Sequence, residues 1–157
     1  MKAATIHELK DELKTLKTPQ LTELCLRLAR FRKENKELLT YLLFEAHHEQ
    51  DYIKGIKKEI DDLFDEINLS HLYFAKKSLR KIVRLINKYC RYSSLKQTEV
   101  ELRLYFCKVL NDSGIPVQKN AVINNLFQSQ VKKIKTVFVT LHEDLQFDYR
   151  RELEELG

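Results

Sequence analysis

The sequence predicts an all-α fold: a single domain of seven or eight helices, in an irregular array or superhelix of antiparallel helical hairpins. The chain of 157 residues has only three Gly and two Pro, the residues that most often mark turns, which favours long elements and short connections. Apolar residues also recur at three- and four-residue steps, as on one face of a helix. We therefore assign residues 1–157 to one helical domain, with a candidate sub-boundary near residues 47–51.

The first 44 residues contain two or three short amphipathic helices. A first helix is predicted over residues 6–16, and the sequence KTPQ ends it. Thr18 can cap a second helix, with Pro19 at the first helical position, where the missing N–H costs nothing. Leucines between Leu38 and Leu43 continue the helical pattern, either as a third helix or as an extension of the second. Five residues should form the buried stripe of the second helix: Leu21, Leu24, Cys25, Leu28 and Phe31.

Four longer helical patterns follow. They cover Tyr52–Ile67, Ala75–Tyr92, Val100–Leu110 and Lys119–Leu156. Ser70, in the turn sequence NLS, is a candidate cap for the second of these patterns. The last pattern would be about 57 Å long as one straight helix, which exceeds a compact domain of this size. We therefore expect it either to break near Thr140 or to project.

Composition bears on the cellular location. Cys25, Cys90 and Cys107 are odd in number, form no CxxC pair and lie among apolar residues. We expect buried, reduced thiols and a cytoplasmic protein. No apolar segment of a secretion signal follows Met1, and no stretch approaches the roughly 20 apolar residues of a membrane span. We therefore expect no membrane association.

Motifs of the common enzyme classes do not occur in the sequence. The three glycines, Gly55, Gly114 and Gly157, are too far apart to form the phosphate-binding loops GxGxxG or GxxxxGK[ST], and no GxSxG elbow is present. The zinc-protease pattern begins at His7 and at His142 but lacks its second histidine at both places. His47 and Asp51 have a metal-chelating spacing, yet they lie where a helix should end. We therefore expect no enzyme, no cofactor, no catalytic residue and no metal site.

The strongest functional signal is the sequence AKKSLRKIVRLINKYCRY, Ala75 to Tyr92, which has no acidic residue. At 100° per residue, its bases fall within an arc of about 140°, opposite an apolar arc. From the first base to the last, this face covers about 22 Å, enough to contact several phosphates. Seven residues form this basic face: Lys76, Lys77, Arg80, Lys81, Arg84, Lys88 and Arg91.

The preceding helix carries acids that can shield part of this basic face. The short turn after it predicts an antiparallel hairpin, in which residues 61–66 lie level with residues 72–80. If the polar faces sit side by side, Asp61, Asp62, Asp65 and Glu66 can reach Lys76, Lys77, Arg80 and Lys81. We therefore expect a salt-bridged, solvated surface over the first half, so the best candidates for binding are Arg84, Lys88 and Arg91, with Tyr92 as the stacking residue.

Two weaker basic patches and one acidic segment lie elsewhere. One patch consists of Arg27, Arg30, Arg32, Lys33 and Lys36, and the other of Lys132, Lys133 and Lys135. The segment from His142 is acidic and could cover a basic face in the same chain or in a partner.

The N-terminal sequence HELKDELKTLKTPQLTELCLRLARFRKENKELLTYLL carries a family resemblance. It resembles the opening of small all-helical Bacteroidetes-type bacterial proteins of unknown function, in which a Leu-Lys-rich helix, a short Pro-containing break and a Leu-rich helix follow one another. The resemblance covers about the first 44 residues. It implies an all-helical cytoplasmic protein and no activity.

These observations favour a non-enzymatic protein-interaction or scaffold module with an unidentified protein partner. The alternative is a nucleic-acid-associated protein that uses the basic helix face from Lys76 to Arg91.

Overall fold

The computed structural model describes residues 1–157 and confirms the all-α prediction, with eight α-helices and no strand. The helices are α1 (Ile6–Thr15), α2 (Thr18–Phe31), α3 (Lys33–Thr40), α4 (Glu49–Asp65), α5 (Leu72–Ser93), α6 (Lys96–Asp112), α7 (Ala121–Phe138) and α8 (Glu143–Glu155). The chain divides into two compact units, Met1–Phe44 and Glu45–Gly157. The division lies a few residues before the candidate sub-boundary at residues 47–51.

In the first unit, local backbone contacts and conformation determine where each helix begins. Thr5 and Glu8 form a capping box at α1, since the Glu8 carboxylate accepts the Thr5 N–H at 2.7 Å. Thr18 lies inside α2 rather than capping it, because Lys17 occupies the cap and its N–H donates to the Gln20 side chain at 2.9 Å. Arg32 is extended, so α3 is a separate helix.

The apolar stripes of the first unit remain largely exposed. Tyr41, in the π-helical turn Tyr41–Glu45, is its only buried residue. The prediction that the apolar stripe of α2 is buried is therefore wrong, since Leu28 is 61% and Phe31 76% exposed. Cys25 lies on the same stripe and is exposed too, which corrects the expectation of three buried thiols.

The second unit is built around α6. This helix packs against α4, α5, α7 and α8, and its residues Leu102, Phe106 and Leu110 are fully buried. Consecutive helices from α4 to α8 pack against each other. The α4–α5 pair is antiparallel as predicted, because Tyr52 near the start of α4 contacts Tyr89 near the end of α5.

The turns of the second unit differ in detail from the sequence predictions. Ser70 does not cap α5, because its N–H and hydroxyl both donate to Asn68 and the cap position is His71. The last helical pattern forms two helices, α7 and α8, and the break lies at residues 139–142, near the expected Thr140. No helix of the structure combines the length and the apolar character required to cross a membrane.

A buried guanidinium joins three helices of the second unit. Arg103 of α6 is 3% exposed and donates to Gln130 of α7 at 2.6 Å and to Asn87 of α5 at 2.9 Å. Its charge is balanced by Glu99, whose carboxylate lies 2.7 Å from a guanidinium nitrogen. This network places residue 87 of α5 level with residue 130 of α7.

Candidate functional site

The basic face of α5 is a solvent-facing surface of the second unit. Its apolar counterpart, which includes Leu79, Ile82 and Ile86, is fully buried against the core. Five of the bases are exposed, and Lys76 and Lys88 are half-buried. The exposed five are Lys77, Arg80, Lys81, Arg84 and Arg91. The two-sided character that the sequence predicts for this helix is therefore present in the fold.

The predicted shielding of the first half of this face is wrong. No carboxylate lies within 4.0 Å of six of its bases: Lys76, Lys77, Arg80, Lys81, Arg84 and Arg91. The reason is the rotation of α4 about its own axis. Asp61 faces α6, where both its carboxylate oxygens accept from the Tyr105 hydroxyl at 2.7 Å. Asp62, Asp65 and Glu66 are exposed and unpaired with α5.

Aromatic residues occupy the flank of α5 that faces α4. The Tyr89 hydroxyl donates to Glu59 of α4 at 2.9 Å, and its ring meets Tyr52 edge-on at a centroid distance of 6.1 Å. Tyr92 is 9% exposed and packs edge-on against Tyr89. The prediction that Tyr92 offers a surface for stacking is therefore wrong, because its ring belongs to the core.

The three bases at the far end of the face differ in environment. Lys88 is half-buried, and its ammonium lies 4.7 Å from the centroid of the Tyr89 ring, a cation–π distance. Arg84 and Arg91 project into solvent. Of the far-end candidates, the two arginines are therefore the more accessible to a ligand.

Helix α7 extends the positive surface beside α5. The two helices pack against each other, and Asn87 and Gln130 lie level at the Arg103 network. Lys133, one turn beyond Gln130, is exposed, and its charge acts on the thiol of Cys90 in α5. No acidic residue occurs between Asp112 and Glu143, so α7 adds bases and no acids.

The other bases that the sequence singles out differ in their contacts. In the first unit, Arg30 pairs with Glu23 at 3.4 Å and Lys33 with Glu37 at 3.7 Å. Lys132 and Lys135 are exposed on α7, and the ammonium of Lys135 donates to the carbonyl of Gly157 at 3.2 Å. Arg27, Arg32 and Lys36 are exposed.

The spacing of His47 and Asp51 does not produce a shared helical face. His47 lies in the turn before α4, and Asp51, in the first turn of that helix, pairs with Lys54 at 3.5 Å. No group of three or more His, Cys, Asp or Glu side chains in the structure is placed to hold a metal ion.

A polar cleft that the sequence did not indicate lies between α4, α6 and α8. Its volume is about 790 Å³. At its wall, the Glu101 carboxylate accepts from the Lys57 ammonium at 2.7 Å and from the Tyr149 hydroxyl at 3.0 Å. Burial raises the pKa of Tyr149 to about 12. These groups come from three distant segments, which is why no local motif predicts the cleft.

The first turn of α5 carries exposed aromatic side chains that were also missed. Tyr73 is 74% and Phe74 52% exposed, and their rings meet edge-on at a centroid distance of 5.5 Å. The His71 ring packs against Phe74 at 5.9 Å. The helix starts at Leu72, close to the start that a cap at Ser70 predicts, but these aromatic residues precede Lys76, the first base of the face, and were not assigned to it.

Comparison with known proteins finds no relative for this chain. No protein-family model, no curated protein and no solved structure matches it. The resemblance of the first 44 residues to small Bacteroidetes-type bacterial proteins therefore stays a prediction.

Proposed function

We propose that the protein is a non-enzymatic cytoplasmic binding module whose α5 basic face binds nucleic acid. One observation carries this proposal: six bases on a single helix face have no carboxylate within 4.0 Å. Without shielding by α4, the first half of the face is available to a ligand as well as Arg84 and Arg91. This favours the nucleic-acid alternative over a solvated, salt-bridged surface.

The geometry of the face suits a polyanion. The bases span about 22 Å along the axis of α5, and a nucleic-acid duplex carries about one charge per 1.7 Å. Arg80, Arg84 and Arg91 can each donate two parallel hydrogen bonds to one phosphate. Because no carboxylate pairs with these arginines, a phosphate would not have to displace an existing ion pair. The acid-free helix α7 adds exposed lysines and no carboxylate beside α5.

Fluorescence anisotropy with labelled single- and double-stranded probes tests this proposal. At about 50 mM salt, we expect micromolar binding, and Arg80→Glu/Arg84→Glu/Arg91→Glu should weaken it at least about tenfold. Lys54→Glu/Lys58→Glu/Lys108→Glu is the matched control, because it alters the net charge equally at exposed bases outside α5. Wild-type affinity in the α5 variant, or absence of binding to every probe at about 50 mM salt, would contradict the proposal.

A protein-interaction or scaffold role is a second candidate, and a groove in the first unit favours it. The groove lies between α2 and α3 and has a volume of about 250 Å³. Leu28, Leu38, Leu39 and Leu42 line it, together with Cys25, Ala29 and Asn35. Exposed bases lie on both helices, and α2 and α3 together carry more bases than acids. The partner that fits is an amphipathic helix with an apolar stripe and acidic flanks.

Photo-crosslinking in cells tests this second candidate. A photoreactive phenylalanine analogue at Leu28 or Leu42 should capture one and the same protein, and Arg32→Glu/Lys36→Glu should abolish that capture. The same analogue at Lys58, an exposed position on α4, is the control. Capture that survives the charge reversal, or different proteins at the two groove positions, would contradict an acidic helix as the occupant.

A further inference from the structure

We propose that the basic face of α5 binds single-stranded nucleic acid, and that an unpaired base stacks on the ring of Tyr73. This inference rests on the proposed function and specifies its ligand. Proteins that bind single strands combine a positive track for the backbone with exposed aromatic rings for the bases. The first turn of α5 supplies the exposed aromatic ring, next to the positive track.

Tyr73 points in the same direction as the arginines of the basic face. At 100° per residue, Tyr73 and Arg91 have the same direction, and Arg80 and Arg84 lie within about 20° of it. Tyr73 precedes Arg80 by about 10 Å and Arg91 by about 27 Å along the helix axis. A strand that follows the arginines toward the start of α5 therefore arrives at the tyrosine ring.

The environment of Tyr73 also fits a stacking role. The side chain is 74% exposed, while Tyr92, at the opposite end of the helix, is 9% exposed. The edge of the Tyr73 ring meets Phe74, which in turn contacts His71, and the exposure of the side chain leaves a ring face open to solvent. A nucleobase can therefore approach this face without displacing another side chain.

The Tyr73 ring should give the protein a higher affinity for single strands than for duplexes. In a duplex, the nucleobases are already stacked on their neighbours, so Tyr73 can contribute only where a nucleobase is unpaired. The Lys and Arg side chains of α5 can contact the phosphates of either form. We therefore expect a single strand to bind more tightly than a duplex of the same sequence, and removal of Tyr73 to reduce that preference.

A tryptophan reporter observes the stacking directly. The chain contains no tryptophan, so Tyr73→Trp introduces a single indole fluorophore. Oligothymidine or oligouridine of about 16 nucleotides should quench its emission as binding proceeds. Phe147→Trp is the matched control, since Phe147 is 80% exposed on α8 and lies outside the basic face. Equal quenching at both positions, or none at Tyr73→Trp while the probe is bound, would overturn the stacking model.

Affinities of substituted proteins separate this inference from the proposed function. Tyr73→Ala should lower the affinity for the single strand about tenfold and leave the affinity for the duplex unchanged, whereas Tyr73→Phe should retain wild-type values. The exposed position allows all three variants to fold. Binding that favours the duplex, or a Tyr73→Ala variant with wild-type affinity for the single strand, overturns the inference and leaves the proposed function standing. No binding of either probe overturns both.

Discussion

The three cysteines occupy two kinds of environment, although each lies within a helix. Burial raises the pKa values of Cys90 and Cys107 to about 12, and the nearby charge of Arg103 opposes this rise without cancelling it. Cys25 is exposed on the uncovered stripe of α2. The thiol form therefore dominates at the two buried positions at any pH near neutrality.

These environments predict selective thiol chemistry. At pH 8, a thiol with a pKa of about 12 is ionised to about one part in 10,000, and only the thiolate attacks a disulfide reagent. We expect one fast-reacting thiol in the native protein when the release of chromophore from an aromatic disulfide reagent is followed. Cys25→Ser should remove that phase, and all three thiols should react after unfolding. A fast phase that persists in Cys25→Ser would contradict the assigned burial.

Tyr92 and Tyr73 show where residue-level prediction fails. Tyr92 lies at the edge of the polar arc of α5, so its burial depends on how closely α4 approaches, and the sequence does not contain that distance. Tyr73 was missed because the bases of the face begin only at Lys76, although the predicted cap at Ser70 already included residue 73 in the helix. The seven bases, by contrast, were placed correctly, because helical periodicity alone determines their common direction.

Polar contacts between α5, α6 and α7 hold the second unit together, in addition to apolar packing. The Arg103 guanidinium donates to Asn87 of α5 and Gln130 of α7, and it pairs with Glu99 in its own helix. Each acceptor would lose its partner if the guanidinium were removed. Gln130 is buried and Asn87 half-buried, and an interior acceptor left without a donor costs about 1–3 kcal/mol.

Replacement of this arginine tests its role in joining the helices. We expect Arg103→Met to lower the free energy of unfolding by about 2–4 kcal/mol, as measured by urea denaturation followed by circular dichroism, because two interior acceptors lose their donor. Arg84→Met is the control, since the exposed Arg84 side chain has no ion pair and its loss should change stability by no more than about 0.5 kcal/mol. Equal stability of the two variants would show that the network contributes nothing beyond packing.

At the level of helices, the antiparallel α4–α5 pair could be predicted because a short turn leaves little choice. Its polar contacts could not, because they depend on the rotation of α4 about its axis. The contacts of Lys57 with Glu101 and of Asp61 with Tyr105 direct that part of α4 toward α6. These partners are 44 residues apart in sequence, so no local pattern reports them.

The two units of the molecule differ in how much apolar surface they bury. Every buried apolar residue except Tyr41 belongs to residues 45–157. The first unit instead exposes leucines on α2 and a groove between α2 and α3. The core that stabilises the fold therefore lies almost entirely in the second unit.

A fragment of residues 45–157 should consequently fold without the first 44 residues. We expect it to retain its helical circular dichroism and to unfold in one cooperative transition with increasing urea. A matched fragment of residues 1–44 should show low, non-cooperative helicity, because short helices without packing are marginal in water. A gradual, non-cooperative loss of signal from the longer fragment would contradict this division of the core.

Charge is distributed along the molecule as unevenly as apolar surface. No acidic residue occurs from Ile67 to Thr98 or from Ser113 to His142, and these segments include all of α5 and α7. Both helices belong to the second unit and pack against each other. The net charge of +5 is therefore a poor guide to the potential that a ligand meets at this surface.

The salt dependence of single-strand binding tests the central claim most directly, because it counts the phosphates that the α5 face neutralises. For single strands, the slope of log K against log salt is about −0.7 per phosphate contact. If the four bases nearest the direction of Tyr73, namely Lys77, Arg80, Arg84 and Arg91, each contact a phosphate, the wild-type slope should be about −3. Arg80→Ala/Arg84→Ala/Arg91→Ala should reduce its magnitude by about 2. A slope that is the same in the variant and the wild type would show that nucleic acid does not bind on this face.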